Sequence, residues 1–560
     1  MAFDLIIRNG IVVDGTGSPS YAADVAVRGG AIMEIGKVTG RARREIDAGG
    51  RVVAPGFIDP HTHYDAQICW DDTLSPSPWH GVTTVMLGNC GVGIAPCVPA
   101  ARETAMQDLV NVEGMPYDVL SRGITWDWES FPEYMAAAGR RGSAPNLAFL
   151  APLTPFRYNV MGEAAAERAA NADETSRIAA LLREAVDAGA FGFSTTQLTN
   201  HIGHRGRPIA CRNASTDELR AYAHVLRDAG RGTLEIALTR NVSVVTDDDY
   251  ATLDFLLTES ARPVTFLTLM YRDDNPGACD ASLAKLEPLL ARGAYPQIAA
   301  RPMTRDIDLT NPFSFMGFPS WHPVFNRTVE EQIRHYRDRD FRNRFREELK
   351  GPAQFTGNWS LMTVTEAQDP ALKRYEGMTI AEIAAERGTD GVDALLDVAI
   401  EDGLRTEFAL AFLNTNEKGV AKLLRDNRTL IGLSDGGAHL SMLCDAGYCT
   451  YLLGKWVRER GVLKMEEAVH RITDEPASRF GIRNRGRIAV GYAADITVFD
   501  PATIGSNDRA EKRFDLPGGA RRMVMTARGV DYTIVNGVPV LEHGEMTQAR
   551  SGAVLKSGSS

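Results

Sequence analysis

The chain has no charge-free apolar stretch long enough to span a bilayer, which excludes a helical membrane protein. Positive charge is not in surplus: 61 Lys and Arg face 72 Asp and Glu, for a net charge of −11. No basic stripe offsets that balance, so nucleic acid is excluded as the main partner. Cysteine is sparse and odd in number, seven residues scattered over 560, which does not make a disulfide framework. The opening run Met1 to Gly10 lacks the basic flank and long apolar core of a secretory leader, since Asp4 and Arg8 interrupt it, and cytoplasm is the expected compartment. The glycines of Gly88 to Gly93 lack the G-x-G-x-x-G spacing and the acidic residue of a dinucleotide site.

What is present describes an ordinary globular protein, 44% hydrophobic and 24% charged, and too long for one small domain. Residues 1 to about 55 read as short strands, Leu5 to Arg8, Ile11 to Asp14, Asp24 to Val27 and Ala31 to Ile35, with turns at Gly10, Gly29-Gly30 and Gly49-Gly50. The same texture returns in Ala494 to Asp500 and Tyr532 to Leu541, so both ends are expected to build one small β-sandwich domain, residues 1–55 with 481–560.

Between them, residues 56–480 alternate apolar strands with helices, the pattern of an α/β fold of the TIM-like (β/α)8 barrel type. The first candidate strand is Arg51 to Asp59. Seven more follow at Thr83 to Leu87, Leu147 to Leu150, Phe191 to Thr195, Leu234 to Thr239, Val264 to Leu269, Gln297 to Ala300 and Leu430 to Ser434. Helices are expected over Thr175 to Ala188, Thr216 to Ala229 and Ala281 to Ala291. A long insertion at about 301–428 carries Asn311-Pro312-Phe313 and a charged helical stretch, Thr328 to Lys350, and insertions of this size usually serve as lids or oligomer contacts. Lys556 to Ser560 reads as a flexible tail.

The chemistry gathers at strand ends, where such a barrel places its active site. In Asp59-Pro60-His61-Thr62-His63, residues i and i+2 of an extended segment project to one face, so His61 and His63 can share a metal ion. Cys90 follows the second strand in Gly-Asn-Cys-Gly, and Asp435 ends the eighth in Ser-Asp-Gly-Gly. Imidazole, thiolate and carboxylate are all zinc donors. Arg240, Tyr271, Arg272 and Arg301 lie beyond or near strand ends and are candidates for a substrate carboxylate, a task that suits the arginine fork. Bonds to loop backbones or surface acids are an equal alternative for them.

These residues resemble a branch of the amidohydrolase superfamily, the N-acyl-D-amino-acid deacylases, in which a cysteine after the second strand replaces the carboxylated lysine of other members. Cys90 matches that cysteine, and the fourth candidate strand, Ala190 to Thr196, contains no lysine. The resemblance extends through Trp126 to Tyr134, Ser194 to Leu219, Glu466 to Asp500 and Tyr532 to Leu555. It implies zinc, one or two ions, and hydrolysis of a small-molecule amide, with N-acyl-D-amino acids as the substrate class. Asp435 then serves as general base and acid to a metal-activated water.

The family pattern is broken in two places. Glu235 to Arg240 and Phe266 to Tyr271 hold no histidine where the resemblance implies metal-binding histidines after strands five and six, and the family's lysine is missing from Leu269 to Arg272. Either His61, His63 and Asp435, with or without Cys90, hold one metal, or Glu235 or a loop histidine (His201, His204, His322) completes the sphere, or metal is weak or absent. A metal-poor binding or scaffold protein, and a same-fold enzyme with a changed amide or ring-opening reaction, therefore remain as alternatives. The oligomeric state is left open.

Overall fold

A computed structural model of the chain describes residues 2–310, 312–315, 317–325, 327–351, 355, 357–441, 443–507 and 509–558. It divides into two compact units, residues 1–269, 279–301 and 421–560 in one, and 270–278 with 302–420 in the other.

The first unit is built on parallel strands: β1 (Phe57–Asp59), β2 (Val82–Leu87), β3 (Asn146–Phe149), β4 (Gly192–Thr196), β5 (Thr233–Ala237), β6 (Val264–Leu267), β7 (Ala294–Ile298) and β8 (Leu430–Ile431). They pair in two arcs, β1-β2-β3 and β4 through β8 in order, and Ala151–Pro152, just beyond β3, pairs with β4. Thr62 and Gly436 form a parallel bridge beyond the ends of β1 and β8. Nearly all strand residues are buried, as expected of parallel strands covered on both faces. The intervening helices start at capping boxes: Asn171 with Glu174 opens Ala172–Ala188, and Ser215 with Glu218 opens Thr216–Ala229. β8 is shorter than its sequence pattern suggests: only Leu430 and Ile431 pair with β7, opposite Gln297 and Ile298.

A nine-stranded sheet joins Phe3–Val12, Tyr21–Arg28, Ala31–Gly36, Ala42–Asp47 and Val52–Pro55 to Ile496–Phe499, Val530–Val535, Val538–Glu542 and Glu545–Met546. The turn expected at Gly10 is instead a bulge within one long strand: the register shifts between Ile7 and Gly10, with Asn9 at φ 60°. The pattern Tyr532 to Leu541 is a hairpin whose turn, Asn536-Gly537, has positive φ at both residues, 49° and 80°. Val52–Pro55 pairs with Ile496–Phe499 and delivers the chain through Gly56 into β1. A Cβ on Gly56 would lie 2.1 Å from Thr83 Oγ1, so only glycine passes there.

The flexible tail expected at Lys556 is overturned as far as Ser557. The Ser557 amide donates to Gly189 O at 2.9 Å, Leu555 donates to Leu147 O at 2.8 Å, and Ser557 is buried. Docked backbone hydrogen bonds hold this polar segment; Ser559 and Ser560 lie outside the described residues.

In the second unit, Met303–Ile307 and Met362–Glu366 flank Glu407–Leu413 in an antiparallel sheet. The charged stretch is two helices, Val329–Arg337 and Arg339–Glu348, broken at Asp338, whose side chain caps the second. Their apolar residues join a core centred on Trp321, packed by Phe315, Tyr336, Phe341 and Phe345. Asn311 lies outside the described residues. Among the described residues no helix is long and apolar enough to cross a membrane.

Candidate metal centre

β1 and β2 end side by side, and the backbone beyond them is pinned from three directions. The Thr62 hydroxyl donates to Met86 O at 2.6 Å, the His63 amide donates to Gly436 O at 2.7 Å, and the Ser434 hydroxyl donates to His61 O at 2.9 Å. The His-Thr-His run is thereby held between the ends of β2 and β8. After β2, Gly88, Cys90 and Gly91 all take left-handed backbone, with φ of 79°, 56° and 70°. A Cβ on Gly88 would sit 2.1 Å from Leu150 O. The Asn89 amide nitrogen donates to Thr62 O at 3.2 Å and Met86 O at 3.0 Å, tying this turn to the histidine run.

The consequence is a convergence of donors. Ligand atoms of His61, His63 and Cys90 lie within 4.8 Å of one another. Cys90 Sγ is 3.5 Å from His61 Nε2, and Asp435 Oδ1 is 3.2 Å from His61 Nε2 and 3.6 Å from His63 Nε2. His61 is fully buried, and His63 and Cys90 nearly so, whereas Asp435 keeps 21% of its side chain exposed and is the donor that meets solvent. Glu113 Oε1 stands 3.4 Å from His63 Nδ1, on the far side of the ring, which orients the imidazole as a carboxylate does behind a metal-bound histidine.

The electrostatics match a site built around positive charge. Burial opposes ionisation of Asp435, but the two imidazoles outweigh it and hold the carboxyl well below its ordinary value. Burial lowers His63, yet Glu113 and Asp435 carry it up to about 9. Burial pushes the Cys90 thiol well up, and pushes the carboxyls of Asp59, Asp65 and Glu235 to about 8, 7 and 8. A divalent cation among these groups inverts the preferences, favouring thiolate, carboxylate and neutral imidazole. Two imidazoles, a thiol and a carboxylate converging in a buried pocket fit such a cation, and the donor types are those zinc accepts.

The other candidates are placed as follows. Glu235, on β5, accepts the Cys90 amide at 2.7 Å through Oε2. His201 Nδ1 is buried without a hydrogen-bond partner, and burial followed by the charge of His63 lowers its imidazole to about 3. His204 is anchored by its backbone amide on Asp108 Oδ1 at 2.7 Å. Arg240 is exposed beyond β5, with Nη2 on Gln197 Oε1 at 3.1 Å. Arg301 is buried, its guanidinium 3.5 Å from Asp445 and 4.6 Å above the Tyr451 ring. Tyr271, Arg272 and His322 belong to the second unit. There the Tyr271 amide donates to Asn414 Oδ1 and the Asn414 amide donates to Tyr271 O, Arg272 sets its fork on Asp274, and His322 is exposed.

Three residues of the site were missed by sequence reasoning. Asp65, which accepts the Gly88 amide at 3.1 Å, lies two residues beyond His63 and continues the i+2 spacing of the His-x-His run. Ser194 accepts the Gly91 amide at 2.9 Å and donates to Gly88 O. Neither Ser194 nor Glu113, which ends the helix Arg102–Glu113, carries a local signal.

A family model described as the amidohydrolase family matches residues 44–541. D-aminoacylase from Alcaligenes xylosoxydans xylosoxydans is 28% identical, over 99% of this chain and 97% of that one. Among solved structures, N-acyl-D-glutamate deacylase from Bordetella bronchiseptica, complexed with zinc and a phosphonate mimic of the tetrahedral intermediate, superposes with a TM-score of 0.66 at 25% identity, covering 100% of each chain. A D-aminoacylase with a binuclear metal centre gives a TM-score of 0.65 at 28% identity, over 99% of this chain and 100% of that one. With the family model spanning most of its length and its donors gathered at strand ends, the chain belongs to the amidohydrolase family.

Proposed function

We propose that the protein is a metal-dependent N-acyl-D-amino-acid deacylase of the cytoplasm, acting on a (β/α)8 barrel (residues 56–480) that carries a β-sandwich formed by residues 1–55 and 481–560. His61, His63, Cys90 and Asp435 would hold a divalent cation, zinc by donor type. When bound, that cation polarises an amide carbonyl and acidifies a water. The chain supplies the rest. Glu113 fixes the His63 ring, and the Asn89 amide and Ser194 hydroxyl fix the turn that presents Cys90. Asp435, partly open to solvent, accepts the proton of the attacking water at the carboxylate oxygen not set against the imidazoles and passes it to the departing nitrogen.

The substrate carboxylate is assigned first to Arg240, whose exposed guanidinium has no carboxylate partner among the described residues. Arg212 stands with it: Arg240 Nε donates to Gln197 O at 3.4 Å, and Arg212 donates to Thr199 O at 3.2 Å and His201 O at 3.0 Å, so both hang on one short loop. Arg301 is a weaker choice because Asp445 already faces it, and Arg272 is weaker still, with both oxygens of Asp274 on its fork.

The observation that carries the proposal is the single oxygen, Asp435 Oδ1, set 3.2 and 3.6 Å from two buried imidazoles beside a cysteine. Metal content per chain and hydrolysis of paired D- and L-N-acyl amino acids test it. The expected result is bound zinc and turnover of the D-series. A folded, zinc-supplied protein that binds no cation and cleaves no member of the panel overturns it.

A further inference from the structure

The side chain of Glu235 is fully buried, yet only one of its two oxygens is used. Oε2 accepts the Cys90 amide at 2.7 Å, whereas Oε1 is buried and without a hydrogen-bond partner. Among the described residues no Lys, Arg or His lies within ion-pair distance of it. A carboxyl withdrawn from water with one oxygen unmet is held as an anion only where a cation answers it.

Its position is set by the strands. Glu235 on β5 is in register with Ser194 on β4, and both side chains reach the same turn: Ser194 takes the Gly91 amide and Glu235 the Cys90 amide. A serine hydroxyl meets the turn's needs at Gly91. At Cys90 a neutral amide side chain would meet the same need, so the backbone contact does not explain a buried acid.

We propose that Glu235 is a further metal donor of this centre, its free oxygen completing the coordination begun by His61, His63, Cys90 and Asp435. This rests on the metal-dependent reading above. It makes the site one of two imidazoles, one thiolate and two carboxylates, with an acid on β5 in the stretch, Glu235 to Arg240, where the family resemblance implies an imidazole. Such a centre is more anionic than a histidine-rich one and holds a hard dication more firmly relative to a soft one.

Glu235→Gln separates the two roles, because its amide oxygen still accepts the Cys90 amide while the anionic donor is gone. Zinc affinity is read by competition with a chromophoric chelator, and the cobalt-substituted protein by absorption. The expected result is zinc binding weakened tenfold or more, an altered cobalt d–d envelope and a retained thiolate-to-cobalt band from Cys90. Affinity within threefold of wild type, with an unchanged envelope, overturns the proposal and leaves Glu235 as the acceptor of the turn. A wild-type protein that binds no zinc overturns the metal reading as well, a distinct outcome. Should Glu235→Gln fail to fold, the anomalous signal of zinc-loaded wild-type crystals decides. An ion at about 2.0–2.2 Å from a Glu235 oxygen supports the assignment, and one in the site beyond contact with Glu235 refutes it.

Discussion

Replacing Ser194 with alanine should loosen the Cys90 turn without touching any proposed metal donor. The hydroxyl accepts the Gly91 amide at 2.9 Å and donates to Gly88 O, and all three residues are buried. The truncation strands one amide and one carbonyl where water has no access, and each costs about 1–3 kcal/mol. The turn has little capacity to rearrange: Gly91 cannot move toward its neighbours, since a Cβ there would already meet Cys211 Sγ at 2.8 Å and Thr195 Cα at 2.9 Å. Cys90 itself sits at φ 56°, a conformation that costs an L-residue about 1–2 kcal/mol and persists only because bonds around it hold. The sum is a local loss of about 2–6 kcal/mol. Hydrogen exchange on a peptide covering residues 86–93 reads it directly: about 2 kcal/mol is roughly a thirtyfold faster opening. Exchange in the strand Phe3–Val12 should stay as in wild type, and zinc affinity should fall along with the protection. Exchange of the Gly91 amide within threefold of wild type would refute the claim that this hydroxyl secures the turn.

Asp435→Asn keeps an oxygen near both imidazoles but removes the base, so kcat on the best N-acyl substrate should drop by about 10²–10⁴ while zinc remains bound; a loss under tenfold in the zinc-loaded variant removes Asp435 from the proton transfer. Trp321→Ala empties the centre of the second unit's core, where the fully buried ring stacks 4.3 Å from Phe315, and should cost about 3–5 kcal/mol, seen as accelerated exchange and proteolysis within residues 302–420. Asp108 supplies a pH dependence, because burial raises its carboxyl from 3.8 to about 6. Between about pH 4 and 6 the folded state keeps a proton that the unfolded chain has released, so this group's contribution falls as pH rises, by about 2–3 kcal/mol. Asp108→Asn retains the acceptor for the His204 amide and should gain Tm relative to wild type at pH 7 but not at pH 4; an equal difference at both values refutes the assignment.

How far the site was legible follows from how local each constraint is. His61 and His63 declare themselves because a two-residue spacing at the end of a buried strand is a geometric statement about one face. Cys90 and Asp435 were legible through the glycines beside them, which mark backbone that a ligand or a close neighbour approaches. Glu113 and Ser194 act across 50 and 103 residues of chain on His63 and Gly91, and nothing in a helix ending Asn-Val-Glu-Gly says that its acid reaches back to a histidine. The same blindness to distant pairing made the segment from Lys556 look loose, although the Ser557 amide is docked on Gly189 O and Leu555 before it on Leu147 O of β3. At Gly10 the error was one of punctuation, since a glycine within an apolar strand pattern marks a bulge as readily as a turn.

The donors also divide by the backbone that carries them. The histidine pair sits in an extended segment whose geometry any residue adopts, so its alignment costs little beyond what the strand already provides. Cys90 and Asp435 both lie at positive φ, 56° and 48°, without the freedom of glycine. Both are braced by side chains: Cys90 by Glu235 from β5, and the Asp435 turn by the adjacent Ser434 hydroxyl, which accepts the Gly436 amide at 3.0 Å while donating to His61 O. A left-handed cysteine and a left-handed aspartate, each aimed at the same pair of imidazoles, are conformations that packing alone would relax. Their coincidence at one point argues that the fold spends stability there to keep the donors in place, and that Glu235, which braces one of them with half of its carboxylate, has its other half committed to the same centre.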